Sequence, residues 1–179
     1  MSEPAPATLE WRDAVFAALK AGAIRQIGYV PDAGHARLIE LSRADPAVRA
    51  VPLTSEEEGI GLAAGAWLGG ERAALLMQSS GVGNCVNMLA LARSCRFPML
   101  LLVTMRGEWA EFNPWQIPMG KATQAALEIM GVTVLRLEQP QDAEEVISAA
   151  GALAFESDQQ IAVLISQRML GRKKWTEEK

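Results

Sequence analysis

The chain has 179 residues, a mass of 19.3 kDa and 50% hydrophobic composition, enough for one domain with a sizeable core and too apolar for a disordered chain. Its net charge of −4 comes from interspersed acids and bases, with no basic stripe for nucleic acid and no polybasic run for a membrane surface. The most apolar run, residues 97–105, is too short to span a bilayer, the opening MSEPAPA is no secretory signal, and two cysteines with one histidine make no zinc cluster; a cytoplasmic protein is expected.

Residues 1–7 read as a disordered tail, and Thr8 as the N-cap of a helix over 9–21, where Val15, Phe16 and Leu19 recur at helical spacing before Gly22. A strand is predicted over 24–30, ended by Pro31, then a helix over 36–43 closed by Asp45-Pro46 and a strand over 48–53. A Gly/Ala-rich helix over 57–69 and a strand over 73–78 follow, then the polar turn 78–84. The next helix, about 83–95, carries both Cys85 and Cys95, roughly 15 Å apart along its axis, as core thiols rather than a pair. Met99 to Thr104 is nearly all apolar and predicts a strand buried on both faces. An irregular segment over 105–120 leads to a helix ending at Met130, a strand over 132–137, a helix over 141–155 and a last strand over 161–166. The tail 171–179 is polar, with Trp175 expected to dock on the domain. Six short strands alternating with helices predict one α/β domain over 8–170, a doubly wound, six-stranded parallel sheet with helices on both faces.

In such a sheet ligands bind beyond the carboxyl ends of the strands, which selects residues 31–35, 54–58, 78–84 and 105–120. His35, with Asp32 in the first of these, is either a solvated loop histidine or an acid, base or substrate contact. The turn from Gln78 through Ser79, Ser80, Gly81 and Gly83 to Asn84 either presents backbone N–H groups to an anion or is a close-packing turn. It is neither a dinucleotide fingerprint, since Val86 stands at the third glycine, nor a P-loop. In the long segment Arg106 and Lys121 could hold an anion while Trp109, Phe112 and Trp115 exclude water; the alternative is a surface loop with its aromatics folded onto the core. Glu56, Glu57 and Glu58 suit a helix N-terminus by charge alone. The glycines at 59, 61 and 65 cost helix stability, about 1 kcal/mol each against alanine, and predict a helix pressed against another surface, expected to be a partner chain.

Glu56 followed by Ala63-Ala64-Gly65 at offsets seven to nine resembles the pyrimidine-binding (PYR) domain of thiamine diphosphate enzymes. Within that family the segments VPLTSEEEGIGLAAGAWLGG, ALLMQSSGVGNCVNML and QIPMG are similar to the alpha subunits of sulfopyruvate decarboxylases, with phosphonopyruvate decarboxylases next; the resemblance covers about residues 10–170. It implies a glutamate hydrogen-bonded to N1′ of the cofactor's aminopyrimidine, a role that falls to Glu56 by offset, with Glu57 one residue away as the alternative. It also implies that Gln78, Ser79, Ser80, Gly81 and Asn84 lie against the pyrimidine, and that Asp32, His35, Arg106, Gln116 and Lys121 stand on the substrate side. The implied reaction is decarboxylation of a small anionic 2-oxo acid, with the thiazolium accepting the electrons as CO2 leaves. The diphosphate–Mg²⁺ signature of the family, GDG followed by NN, is not in this sequence. No residue here is therefore expected to bind metal, and a separate beta chain is expected to supply the Mg²⁺ and diphosphate ligands in a hetero-oligomer. A different 2-oxo acid, an acetolactate synthase-like carboligation, a non-catalytic regulatory module and a flavodoxin-like nucleotide-binding domain are the alternatives.

Overall fold

The computed structural model describes residues 10–171; Thr8, Trp175 and the two tails lie outside them. Helix α1 (Trp11–Ala21) starts with Glu10 as its cap, the carboxylate accepting from the Arg12 N–H at 3.0 Å. The order continues β1 (Ile24–Tyr29), α2 (Ala36–Ala44), β2 (Arg49–Pro52), α3 (Glu56–Leu68), β3 (Arg72–Gln78), α4 (Ser79–Cys85), α5 (Leu89–Cys95) and β4 (Met99–Thr104). It ends with α6 (Ile117–Ile129), β5 (Thr133–Leu137), α7 (Ala143–Glu156), β6 (Gln160–Ile165) and α8 (Gln167–Leu170). All six strands are parallel, in the order β2-β1-β3-β4-β6-β5. The doubly wound sheet expected from the alternation is what the chain forms.

Successive strand residues point to opposite faces, so the two cores divide by parity. Ala74, Leu76, Leu100 and Leu102 pack with α1, α2 and α7, whereas Leu75, Met77, Leu101 and Val103 pack under α3, α4, α5 and α6. Every residue of β4 is buried, as its apolar run predicts. The chain leaves β1 outward to β2 and returns to β3 on the other side, placing the topological switch between β1 and β3. No helix among the described residues is long and apolar enough to cross a membrane.

Three expectations are corrected. The polar stretch after β3 is helical from Ser79, and the helix predicted over 83–95 is two helices broken at residues 86–88, so buried Cys85 and exposed Cys95 stand on different elements. Its glycines are there for close approach rather than for a turn: a Cβ on Gly83 would lie 3.2 Å from the Met119 sulfur, and one on Gly81 would enter the Glu56 side chain. The irregular segment is shorter than 105–120, because Pro114 opens a 3-10 turn and Pro118 sits in the first turn of α6. Finally, α8 was not expected; four residues are too few for periodicity, and its only local signal is the Ser166 hydroxyl accepting from the Arg168 N–H at 3.2 Å.

Candidate functional site

The three acids at the start of α3 separate. Glu58 turns back to accept from the Thr54 N–H at 2.9 Å, and Glu57 accepts from the Ser55 hydroxyl, a bond that holds its carboxyl below the ordinary value. Both are used in starting the helix. Glu56 turns inward onto α4, leaving the residue 8% exposed. Asn84 donates to its Oε2 at 2.8 Å, while Oε1 has no hydrogen-bond partner among the described residues and is not sealed from outside. The carboxyl lies where a Cβ on Gly81 would be, 2.4 Å from both Cδ and Oε1, so only glycine lets α4 approach this far. Burial, with the charges of Glu56 and Glu57 adding to it, pushes the neighbouring Cys85 up to about 12, so it stays a thiol.

A second polar group joins the carboxyl ends of β1, β3 and β4, where Gln78 and Thr104 are register partners. Asp32 accepts from the Thr104 hydroxyl at 2.7 Å, the Gln78 amide at 3.0 Å and the Gly34 N–H at 3.0 Å, and the Ser80 hydroxyl donates to Gln78 at 2.9 Å. Burial pushes the Asp32 carboxyl up, but Thr104, the neighbouring His35, Gln78 and Gly34 together hold it below its ordinary value. His35 is not a solvated loop residue: it is 1% exposed, with Nε2 3.1 Å from the Leu102 carbonyl and 3.3 Å from that of Met77. Two carbonyls fix Nε2 as a protonated nitrogen that ties β3 to β4 from inside, and burial pushes the ring down against the opposing pull of Asp32, which favours its neutral form. Ser79 is likewise internal, its hydroxyl accepting from the Arg106 N–H at 3.0 Å.

Arg106 is not a free anion-holding cation. Its guanidinium makes two bonds to Glu111, at 2.7 and 2.6 Å, and these hold Glu111 at about 2. Glu111 also accepts from the N–H groups of Gly107 and Asn113 and from the Gln167 amide, while Gln167 accepts from the N–H groups of Glu108 and Trp109. The loop 105–113 is thus latched to α8 rather than folded over its aromatics: Phe112 is 43% exposed, and Trp115, in the 3-10 turn, is 85% exposed. Lys121 is exposed on α6, and Gln116 has a buried side-chain oxygen without a hydrogen-bond partner among the described residues. Arg12, Asp32, Thr104, Arg106 and Gln167 line a cavity of about 70 Å³ at this end of the sheet.

Sequence reasoning therefore reached Glu56, Asn84, Asp32 and Gln78, but not Arg12, Thr104, Glu111 or Gln167. Thr104 had a signal, as the one polar residue ending an otherwise apolar strand; Gln167 and Glu111 meet across 56 positions and had none. The described residues contain no group of three His, Cys, Asp or Glu side chains placed to hold a metal ion. What the site offers is one oriented carboxylate with a free oxygen, beside a fixed polar wall.

The profile of the thiamine pyrophosphate enzyme N-terminal TPP binding domain matches residues 9–130. The chain is 38% identical over 154 residues to the sulfopyruvate decarboxylase subunit alpha of Methanothermobacter thermautotrophicus, covering 86% of this chain and 93% of that one. It is 35% identical over 152 residues to the corresponding subunit of Methanocaldococcus jannaschii, covering 84% and 90%. The phosphonopyruvate decarboxylase of Streptomyces viridochromogenes is 38% identical over 94 residues, 51% of this chain and 24% of that one. Among solved structures, a 2-oxoglutarate:ferredoxin oxidoreductase from Magnetococcus marinus superposes with a TM-score of 0.75 over 93% of this chain and 31% of that one; at 17% identity this speaks to the fold alone.

Proposed function

The chain belongs to the thiamine pyrophosphate enzymes as an N-terminal TPP-binding domain, in the group of the sulfopyruvate decarboxylase alpha subunits, and on that premise we propose that it is the alpha subunit of a two-chain decarboxylase converting sulfopyruvate to sulfoacetaldehyde and CO2. The observation that carries this reading is Glu56: a carboxylate with one oxygen fixed by Asn84 and the other unpaired, at the start of a helix whose neighbour approaches through glycine.

These residues fit an aminopyrimidine. Glu56 Oε1 would be free to share a proton with a ring nitrogen, while Asn84 fixes Oε2 and Gly81 lets α4 close on the carboxyl. When bound, thiamine diphosphate supplies the electron sink that decarboxylation of a 2-oxo acid requires. Glu56 holds and returns a proton at Oε1. Gln78, braced by Asp32 and Ser80, presents a rigid polar edge at the switch between β1 and β3. His35 acts on this edge from inside the sheet, by fixing the ends of β3 and β4, and does not contact substrate. For the anionic end of the substrate we assign Lys121, exposed on α6, since Arg106 is paired with Glu111.

Glu56→Gln tests the central assignment. CO2 release from sulfopyruvate by the reconstituted two-chain enzyme should fall by about 10²–10⁴-fold, the usual worth of a positioned proton-transfer group, with assembly on size-exclusion chromatography intact. Unchanged turnover refutes it. We also assign the diphosphate and Mg²⁺ ligands to a cytoplasmic beta chain carrying GDG…NN, present with the alpha chain in at least two copies each; the lack of those motifs in this sequence supports the division. Tight binding of thiamine diphosphate and Mg²⁺ by the isolated chain in calorimetry would overturn it. Phosphonopyruvate is the second reading of the substrate, favoured by the shorter match to its decarboxylases, and the order of CO2 release from the two acids separates them.

A further inference from the structure

On the far side of the sheet from Glu56, at the amino ends of β1, β3 and β4, α1 and α7 line a half-open cavity of about 210 Å³. Leu19, Ile24, Leu100 and Ile147 make its walls apolar, and Arg72, Ser148 and Glu156 are the polar residues lining it, the last two exposed at its rim. The volume is left by the sequence of α7: a Cβ placed on Gly151 would meet no atom within 4 Å.

Arg72 makes the cavity more than a packing gap. Its side chain is half-buried, with one Nη donating to the Gly22 carbonyl at 3.1 Å and the guanidinium 5.3 Å from the centre of the Phe155 ring. These contacts finish α1 and pack the arginine stem. They leave most of its five N–H donors unassigned, and no carboxylate among the described residues pairs with it. A half-buried cation without a counter-charge is unfavourable, and an anion entering the cavity would offset that. The backbone is irregular at the same place: the register between β1 and β3 shifts between Ile24 and Gln26, and Ala23 has φ of +59°.

We infer that this cavity is a second binding site, for a small carboxylate with a short branched aliphatic body. The carboxylate meets Arg72 and the Ser148 hydroxyl, and the body lies against Leu19, Leu100 and Ile147. An apolar cavity of ~150 Å³ accepts benzene, so this one has room for such a body. The site stands whether or not Glu56 is the activating acid, because it shares no residue with that end of the sheet. Two sources share the chemistry, a branched oxo or fatty acid and a branched α-amino acid; Glu156 at the rim would favour the ammonium of the latter.

The experiment titrates the full chain, assembled with its partner, with 3-methylbutanoate, 4-methyl-2-oxopentanoate, leucine and the neutral 3-methylbutan-1-ol, read by saturation-transfer NMR and by thermal shift. The carboxylates should bind and raise Tm, with the alcohol weaker by about tenfold or more, as expected for loss of a charge-assisted contact. Arg72→Met should remove that difference, and Gly151→Leu, which fills the volume from a helical position, should abolish binding without lowering Tm. Leucine binding that weakens in Glu156→Gln identifies an amino acid; binding of the oxo acid that persists there identifies the other source. The inference is overturned if no carboxylate binds at millimolar concentration, if the alcohol binds equally well, or if binding survives Gly151→Leu. That last variant and the alcohol decide the matter even if Arg72→Met fails to fold.

Discussion

Gly81→Ala isolates the geometry of the proposed proton-transfer group without touching its chemistry. The new methyl would sit 2.4 Å from Glu56 Cδ and Oε1 and 2.5 Å from Cγ. Comfortable contact is about 3.5–4.0 Å, so the carboxyl must withdraw by roughly 1 Å or more, and Asn84 would lose it. Overpacking of this kind costs about 1–3 kcal/mol, and a lost hydrogen bond to a charged group about 1.5–3 kcal/mol. Alanine returns about 1 kcal/mol by its helix propensity, and the flexible glutamate side chain relieves part of the clash by swinging away. The net loss is about 1–2 kcal/mol, which for a domain of this size lowers Tm by roughly 2–8 °C. A misplacement of ~1 Å in the reacting geometry is worth about 10² in rate. The variant should therefore fold and assemble, melting roughly 2–8 °C lower on circular dichroism, yet release CO2 from sulfopyruvate about a hundredfold more slowly. Wild-type turnover in Gly81→Ala would show that the position of the Glu56 carboxyl is immaterial, and the proposed role would fall with it.

Gly65 is the complementary case, exposed on α3 with nothing within 4 Å of its would-be Cβ. Gly65→Ala should stabilise the isolated chain by about 1 kcal/mol, a few degrees in Tm, while weakening co-elution with the beta chain if that helix face is the interface. Unchanged co-elution would place the partner elsewhere. Glu111 gives a pH test: its folded value near 2 lies below the ordinary 4.5, so the folded loop binds fewer protons than the unfolded chain. The contribution is present above about pH 4.5 and lost as pH falls towards 2; hydrogen-exchange protection of the Gly107 and Asn113 amides should fade over that window and be insensitive to it in Glu111→Gln.

The fold was legible because parallel strands buried on both faces announce themselves as apolar runs, as Met99 to Thr104 does. Boundaries failed where a residue's local preference opposed its packing. Ser79 to Asn84 has the composition of a turn, yet its glycines meet Glu56 and Met119. Residues 114–120 read as irregular, yet Pro114 and Pro118 stand at helix starts. Glu56 was legible by its offset from Gly65, whereas the separate uses of Glu57 and Glu58 depend on where Ser55 and Thr54 fall, which only three dimensions supply. Arg106 carries a charge in sequence and a neutral pair in space, because its partner is set by a loop with no period. His35 was read as polar because its neighbours are; the carbonyls it serves lie 42 and 67 positions away.

Gln167 holds the loop 105–113 through Glu108, Trp109 and Glu111, from a helix of only four residues. That makes the order of the loop depend on a segment synthesised 56 residues after Glu111. During synthesis the loop stays unclasped until β6 and α8 have docked, and in the finished protein a fraying of α8 releases these three attachments together. The rim of the candidate site is then only as rigid as a helix of four residues, and a change near residue 167 would be felt there although it touches none of the residues that would do the chemistry.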